Sequence, residues 1–176
     1  MEYFVYGRDR AGAFALKVAL TEEHWAFMDA YAGALIARGP TLAADDEDAE
    51  TTGSLHILDV PDAAAAARFA YDEPYFLGGV FDEVLVRRFD RRVGTTMWDF
   101  ASAVPGWTRY LLLALDGVER ELPESHVIMA GALLDDDGKP VGQAALVEAP
   151  SADEAAELLP GAEVHVWRFG GRPSDN

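Results

Sequence analysis

Hydrophobic and polar residues alternate along several short segments of this chain, a pattern typical of strands that bury one face. Two of these segments are nearly the same, because EVLVRRF at 83–89 and EVHVWRF at 163–169 agree at five of seven positions. The agreement extends upstream. LHILDVPDAAAAARFA (55–70) parallels AALVEAPSADEAAELL (144–159), and each contains a strand, a proline and an alanine-rich helix. The pattern therefore predicts an internal duplication.

Two further pairs of segments complete the repeat. YFVYG (3–7) resembles YLLLA (110–114) as a first strand. ALIARGPTLA (34–43) resembles VIMAGALLDD (127–136), and each turns at a glycine into a short strand. Each copy then has the order strand, helix, strand, strand, helix, strand, which is that of the ferredoxin-like split βαβ fold. We therefore predict an α+β protein of two tandem ferredoxin-like (βαββαβ) repeats.

The repeat also predicts the domain boundaries. These are a first copy at 1–92, a linker at 93–108, a second copy at 109–172 and a tail at 173–176. The linker is unusually rich in aromatic residues for a connecting segment. We expect Trp98, Phe100 and Trp107 to pack across the join between the copies.

The two copies differ in two places. The first copy has a helix predicted at 21–38, with Thr21 as its N-cap and Gly39 and Pro40 at its end. The corresponding segment of the second copy, DGVERELPESHV, is short and broken by a proline. The stretch YDEPYFLGG (71–79) has no counterpart, since only PGA separates the last helix and strand of the second copy. A specialised site is thus expected once per chain.

Composition limits the classes of partner. The chain of 176 residues has 31 acidic and 14 basic residues and a formal net charge of −17, so it repels nucleic acid and anionic membranes. No apolar run approaches the ~20 residues of a membrane span, and the amino terminus lacks the positive charge of a signal peptide. We therefore expect a cytoplasmic protein that binds neither nucleic acid nor membranes.

We expect no metal and no cofactor. Cysteine is absent, which excludes thiolate catalysis and cysteine-based zinc sites. His56, His126 and His165 have no partners at metal-ligand spacing. The acidic runs at 45–50 and 135–140 lack the pattern of a calcium loop and are predicted to be hairpin loops.

One histidine and one carboxylate are the main candidates for chemistry. On a helical wheel His24 aligns with Met28 and Tyr31, so it is predicted to face the sheet. Pro74 disfavours helical geometry at Glu73 and fixes its direction. Structural alternatives exist for both, because His24 can be a core histidine bonded to a carbonyl and YDEPYFLGG can be only a helix stop.

Two segments carry a family resemblance. HWAFMDAYAGALIARGP (24–40) and DEPYFLGGVFDEVLVRRF (72–89) resemble the YciI-like (YCII-related) proteins of the dimeric α/β-barrel superfamily, whose relatives include muconolactone isomerases. Family members are ferredoxin-like protomers that pair sheet to sheet. The resemblance therefore implies that the two copies form a pseudo-dimer within one chain, and it leaves open a further homodimer.

The resemblance also implies a catalytic pair. The family carries a histidine and an aspartate proposed to transfer a proton, and the histidine matches His24. The aspartate falls on Glu73, with Asp72 one position earlier, so either carboxylate is a candidate partner of His24.

Other residues are candidates for substrate binding. The aromatic residues Tyr75, Phe76 and Tyr31 are candidates for the walls of a pocket, and Arg88 for binding an anionic group. Arg88 recurs in the aligned second copy as Arg168, which favours a structural role. The loop at 7–21 is locally basic, with Arg8, Arg10 and Lys17, and is predicted to close over the pocket as a lid.

Together these features predict a small cytoplasmic enzyme of the isomerase or lyase type. It would use the His–carboxylate pair to transfer a proton on a small anionic or phenolic metabolite. The alternative is a non-catalytic small-molecule-binding or interaction module with a vestigial site, so the sequence leaves the question of enzymatic activity open.

Overall fold

A computed structural model describes residues 1–123 and 125–172, so the predicted tail at 173–176 lies outside the described residues. Within these ranges the chain forms eight strands, five α-helices and one short 3-10 helix. The strands are β1 (Glu2–Asp9), β2 (Leu35–Leu42), β3 (Thr51–Asp59), β4 (Phe81–Val93), β5 (Thr108–Ala114), β6 (Val127–Leu134), β7 (Pro140–Ala149) and β8 (Glu163–Trp167). The helices are α1 (Phe14–Ala19), α2 (Thr21–Ala30), α3 (Ala63–Tyr71), α4 (Pro74–Leu77) and α5 (Ala152–Leu158), and the 3-10 helix is Met97–Asp99.

The eight strands close into one antiparallel barrel in the order β1-β3-β2-β8-β5-β7-β6-β4. Two sheets of four strands make up this barrel, β4-β1-β3-β2 from the first copy and β8-β5-β7-β6 from the second. Each has the fourth, first, third and second strand of its copy in that order. The pairs β2–β8 and β4–β6 join the two sheets. The prediction of two ferredoxin-like units paired within one chain is confirmed.

The strand register relates the two copies more exactly than the sequence alignment does. Val5 pairs with Val86 and His56, and its counterpart Leu112 pairs with Val164 and Ala145. Residue 86 therefore corresponds to residue 164, two positions away from the sequence alignment. A slip of two preserves the face of every side chain, because strands repeat every two residues.

The predicted correspondence between Arg88 and Arg168 in the two copies is consequently wrong. Arg88 pairs with Tyr3, and Val166 pairs with the equivalent Tyr110. Arg168 follows the end of β8 instead.

Side chains of both sheets fill the barrel interior. Phe4, Tyr6, Ile57, Leu111 and Trp167 belong to this inner cluster and are almost fully buried. The outer face of the first sheet packs against α2 and α3, where Phe69 and Met28 are buried. Helix α5 covers the outer face of the second sheet. Burial on both faces explains why β6 and β7 are apolar along nearly their whole length.

The predicted helix at 21–38 is wrong in its second half. Helix α2 ends at Ala30, and Leu35 begins strand β2, in which Gly39 and Pro40 pair with β3. Pairing between strands buries Leu35 and Ile36, and this tertiary gain outweighs local helix propensity. Thr21 is not the N-cap either, because its hydroxyl donates to the carbonyl of Lys17 at 3.1 Å.

The second copy has no helix in the described part of 115–126. Gln143 holds this loop to β7, since its amide donates to the Arg120 carbonyl at 2.8 Å and accepts from the Arg120 N–H at 2.9 Å. The segments at 43–50 and 135–139 are loops between strands, as predicted. No helix in the described ranges is long and apolar enough to cross a membrane.

The linker packs differently from the prediction. Met97 is fully buried in the inner cluster, whereas Trp98 is 51% exposed. Phe100 packs at the edge of that cluster, and the Trp107 ring lies 4.4 Å from the ring of His126. The sulfur of Met97 accepts a hydrogen bond from the N–H of Arg38 on β2 at 3.2 Å. The thioether, not the indole of Trp98, anchors the linker.

Candidate functional site

His24 and Glu73 form the centre of the candidate site. His24 lies in the first turn of α2, and Glu73 immediately precedes α4. The Glu73 Oε1 atom contacts His24 Nδ1 in a short hydrogen bond, and Oε2 accepts from the Phe76 N–H at 3.1 Å. Glu73 has an extended backbone (φ −68°, ψ 133°), as expected before Pro74. One glutamate therefore both caps the short helix and binds the histidine.

The imidazole of His24 is held between this carboxylate and an aromatic ring. The Tyr75 ring stacks on it with centroids 4.1 Å apart and planes 10° apart. The His24 side chain is 11% exposed and that of Glu73 is 3% exposed. Burial raises the pKa of Tyr75, whose hydroxyl lies 3.4 Å from Thr21 Oγ1. The orientation of the imidazole is therefore fixed.

This contact also assigns the tautomer of His24. An ionised carboxylate only accepts hydrogen bonds, so Nδ1 carries a hydrogen when the imidazole is neutral. The lone pair is then on Nε2, for which the described residues provide no hydrogen-bond partner, and His24 lines a cavity. Nε2 of neutral His24 can therefore accept a proton from a ligand in the cavity.

A second histidine lies beside the first. His56 on β3 is 5% exposed, with its ring 5.7 Å from that of His24 and edge-on to Phe69 at 5.2 Å. Burial lowers the pKa of His56 well below its usual value of 6.5, and the nearby positive charges of Lys17 and Arg38 act in the same direction. His56 is therefore neutral around pH 7.

Lys17 forms a buried ion pair below Tyr75. Its ammonium donates to both carboxylate oxygens of Asp9 at 2.8 and 2.9 Å and to the Gly53 carbonyl at 3.1 Å. Burial lowers the pKa of Lys17, and the charge of Asp9 opposes this shift. The predicted loop at 7–21 is mostly strand and helix, and Lys17 is only 5% exposed, although helix α1 of this segment does line the cavity.

The cavity has a volume of about 360 Å³ and is bounded by both copies. His24, His56, Tyr75 and Lys17 line one side. The rest of the lining includes Arg38–Pro40 on β2, Glu47 and Ala49 in the loop after it, and residues 168–171 beyond β8. The second copy therefore contributes part of the wall of the first copy's cavity.

The structure brings three of the predicted site residues together: His24, Glu73 and Tyr75. It also distinguishes the two candidate carboxylates. Glu73 faces inward, whereas Asp72 is exposed at the end of α3, where its backbone N–H donates to the Arg68 carbonyl. Asp72 therefore has no contact with the imidazole.

Three other predicted residues lie outside the cavity wall. Phe76 is 38% exposed and its ring packs against Tyr71, because α4 turns it away from His24. Tyr31 packs against Phe69 at 4.9 Å. Arg88 is exposed on β4, which forms no wall of the cavity.

Sequence reasoning missed Arg38 and His56. The helix predicted at 21–38 ends at Arg38, although the match of ALIARGPTLA to a strand of the second copy also allows a strand. As a strand residue Arg38 pairs directly with His56. A strand assignment would therefore have placed both near the site.

Comparison with solved structures defines the class of fold. A proposed monooxygenase from Lactobacillus acidophilus matches with a TM-score of 0.51 and 11% identity, covering 95% of this chain and 92% of that chain. A second from Fusobacterium nucleatum matches with a TM-score of 0.50 and 8% identity, covering 96% and 91%. At these identities the likeness shows the fold alone, a dimeric α/β barrel formed here by one chain.

The family follows from sequence. The model of the YCII-related domain matches residues 1–90, and the chain belongs to this family. Protein YciI of Escherichia coli and an uncharacterized protein of Haemophilus influenzae are each 30% identical to it over 96 residues, covering 52% of this chain and 98% of the relative.

One further solved structure resembles half of the chain. It is 5-chloro-2-hydroxyhydroquinone dehydrochlorinase from Burkholderia phenoliruptrix, in complex with 2,5-dihydroxybenzoquinone. The TM-score is 0.50 at 23% identity, and the match covers 52% of this chain and 96% of that chain.

Proposed function

We propose that this chain is a small cytoplasmic enzyme of the isomerase or lyase type that needs no cofactor and acts on a small anionic or phenolic metabolite. One observation carries the proposal. His24 is bound through Nδ1 to the buried carboxylate of Glu73 and lines a cavity of about 360 Å³. A histidine oriented by a carboxylate beside a ligand-sized cavity is a minimal general acid–base device.

In the proposed reaction, Nε2 of His24 accepts a proton from an acidic C–H or O–H bond of the substrate. The negative charge of Glu73 stabilises the imidazolium that forms. In an isomerase, His24 returns the proton to another atom of the same molecule. In a lyase, the electron pair of the broken bond forms a new π bond while a leaving group departs from the adjacent carbon with its own pair.

The cavity supports a small planar substrate. Its volume lies near the lower end of the usual range for ligand pockets, about 300–1,000 Å³. The rings of Tyr75, His24 and His56 form one side, and cationic side chains lie nearby. The dehydrochlorinase of similar fold binds 2,5-dihydroxybenzoquinone, which agrees with a hydroxylated ring as ligand.

The alternative is a binding module without turnover. It is favoured by the structural role of Glu73, whose Oε2 caps α4 whether or not any reaction occurs. Such a module would bind the same ligands in the same cavity and would release them unchanged.

The test is a screen of small hydroxylated aromatic and unsaturated acids for incorporation of solvent deuterium, read by NMR. Turnover of a substrate by the wild type is expected, and His24→Gln should lower kcat by about 10²–10⁴-fold. Glu73→Gln should lower it by at least about tenfold, because an amide no longer fixes the tautomer or the charge.

Glu148 provides a matched control in the second copy. It is as buried as Glu73, at 2% exposed, and it accepts from the Val104 N–H while lying 3.7 Å from Arg109. Glu148→Gln should leave kcat unchanged and lower the free energy of unfolding by about 1–3 kcal/mol. Saturable binding with no exchange and no product would support the binding module. Unchanged kcat in His24→Gln would refute the proposed mechanism.

A further inference from the structure

We propose that Arg38 is the residue that binds a carboxylate of the substrate, and that it restricts this cavity to small aromatic or unsaturated carboxylates. The inference deepens the proposed function and rests on it, because it concerns the same cavity. Arg38 lies on β2, whereas His24 lies on α2 and Glu73 precedes α4.

The position of Arg38 in the sheet brings it close to the histidines. Arg38 on β2 and His56 on β3 are direct cross-strand partners, so their side chains lie on the same face of the sheet. The His56 ring in turn lies 5.7 Å from the ring of His24. A substituted ring of ordinary size can therefore contact Arg38 at one end and His24 at the other.

Among the cationic side chains that line the cavity, Arg38 is the one whose charge is available to bind an anionic ligand. Two other cations line the cavity, but Lys17 is paired with Asp9, and Arg168 with Asp45 at 3.3 Å and the Asp46 carbonyl at 2.7 Å. Within the described residues, no carboxylate lies at ion-pair distance from Arg38, although the chain carries a net charge of −17. Its charge also reaches the centre of the site, because it contributes to the lowered pKa of His56.

The guanidinium is held in a fixed orientation. Its Nε donates to the Gly170 carbonyl at 3.1 Å, and the Gly170 N–H donates to the Arg38 carbonyl at 3.0 Å. This leaves the two Nη atoms, and a pair of parallel N–H donors matches the two oxygens of a carboxylate. An arginine oriented before the ligand arrives loses less conformational entropy on binding.

The close approach of the two segments explains how the second copy holds Arg38. Gly39 has φ of 154°, and a Cβ there would lie 1.8 Å from the Arg168 carbonyl oxygen. Only glycine allows this contact. The guanidinium also lies 6.0 Å from the ring centroid of Trp98, which covers it from the linker side.

The experiment compares benzoate with benzamide, which have nearly the same shape but differ in charge. Binding of each to the full chain is measured by calorimetry and by the NMR shifts of the His24 ring. We expect the wild type to bind benzoate about 10–100-fold more tightly than benzamide, as for hydrogen bonds to a charged group. Arg38→Gln should abolish the difference, and Arg38→Lys should retain part of it, because lysine keeps the charge without the planar fork.

Arg88→Gln is the matched control, since it removes an exposed arginine outside the cavity and should leave the preference for benzoate unchanged. The proposal is overturned if the wild type binds the two probes equally or shows no saturable benzoate binding up to about 10 mM. It is also overturned if a folded Arg38→Gln variant keeps the preference. Benzoate has no acidic proton for His24 to accept, so its binding tests Arg38 independently of catalysis. If the wild type prefers benzoate but turns over no substrate in the deuterium screen, the proposed enzymatic function is refuted and the role of Arg38 in binding stands.

Discussion

The two copies share one sheet topology but cover it differently. In the first copy, α1, α2 and α4 pack over the region that holds His24 and Glu73. In the second copy, a loop replaces the first helix and lies against β7 through Gln143. The strand register makes Ser54 the counterpart of Gln143 and His56 the counterpart of Ala145. Polar residues that line a cavity in one copy are thus replaced by a tether and a small apolar residue in the other.

This difference separates two tasks that a duplicated fold has to perform. Closing the barrel requires only strands with the right register, and both copies have retained these. Forming the site requires a helix after the first strand, a capping glutamate beside a histidine and a cavity, and within the described residues these belong to the first copy. The second copy nevertheless supplies residues 168–171 to the wall of that cavity. It has the role that a partner subunit would have in a homodimer.

The largest effect is expected from separating the copies. Residues 1–93 alone would expose the edges of β2 and β4, which pair with β8 at Thr41 and Leu42 and with β6 along Arg88–Val93. Exposed strand edges with an uncovered apolar face associate. We expect this fragment to form homodimers or aggregates in light scattering after size-exclusion chromatography, and residues 94–176 added in trans to restore a one-to-one complex. A stable monomer of 1–93 would contradict the partner role.

The strands were predictable because their alternation is repeated in the sequence. The similarity of the two copies led to an alignment of the last strands that is shifted by two residues. Such a shift is not detectable from the hydrophobic pattern, because every side chain stays on the same face of the sheet. The segment LIARG was ambiguous for a related reason. A short run of this kind has no decisive period, and its pairing with β3, on the other side of the loop at 43–50, determines its conformation.

The candidate site was predictable only in part. His24 and Glu73 are marked by local signals, a helix face and the residue before a proline. Arg38 reaches the cavity through a cross-strand pair that no local pattern specifies. Phe76 and Tyr75 are adjacent in sequence, and the turn of α4 alone decides that Tyr75 stacks on the imidazole while Phe76 faces outward.

A smaller effect, on pH dependence, distinguishes His56 from its counterpart Ala145. The pKa of His56 is lowered by burial, so below about pH 6.5 the unfolded chain binds a proton that the folded chain does not. The free energy of unfolding should therefore decrease as the pH falls below about 6.5, by up to about 1.4 kcal/mol per pH unit from this residue. Above about pH 7 this contribution should be constant.

The measurement is urea denaturation from pH 5 to 8 for the wild type and His56→Gln. Glutamine does not titrate, so the difference between the two free energies should change with pH below about 6.5. Parallel curves over the whole range would mean that His56 takes up its proton in the folded state as readily as in the unfolded chain. In that case His56, like its counterpart Ala145, would contribute nothing to the pH dependence of the free energy of unfolding.

The smallest effect concerns the segment that the second copy places across the cavity. Arg172 binds Glu22 at 2.6 Å and Asp29 at 3.1 Å, both on α2, and lies 5.5 Å from the ring centroid of Trp25. These exposed pairs add little to stability, so Arg172→Gln should leave the melting temperature unchanged. Loss of the contacts should nevertheless loosen residues 168–171 and raise the dissociation rate of benzoate by about threefold in NMR line-shape analysis.

Arg120→Gln is the control for this change in the second copy. Arg120 binds Asp116 at 2.6 Å in the loop that replaces the first helix, and it lines no part of the cavity. Its replacement removes one half-buried arginine and a comparable ion pair, so the dissociation rate of benzoate should stay at the wild-type value. If Arg172→Gln also leaves that rate unchanged, residues 168–171 are a rigid wall, and the second copy contributes to the site only by its shape. A faster dissociation rate in Arg172→Gln but not in Arg120→Gln would mean that the second copy also controls the residence time of the ligand.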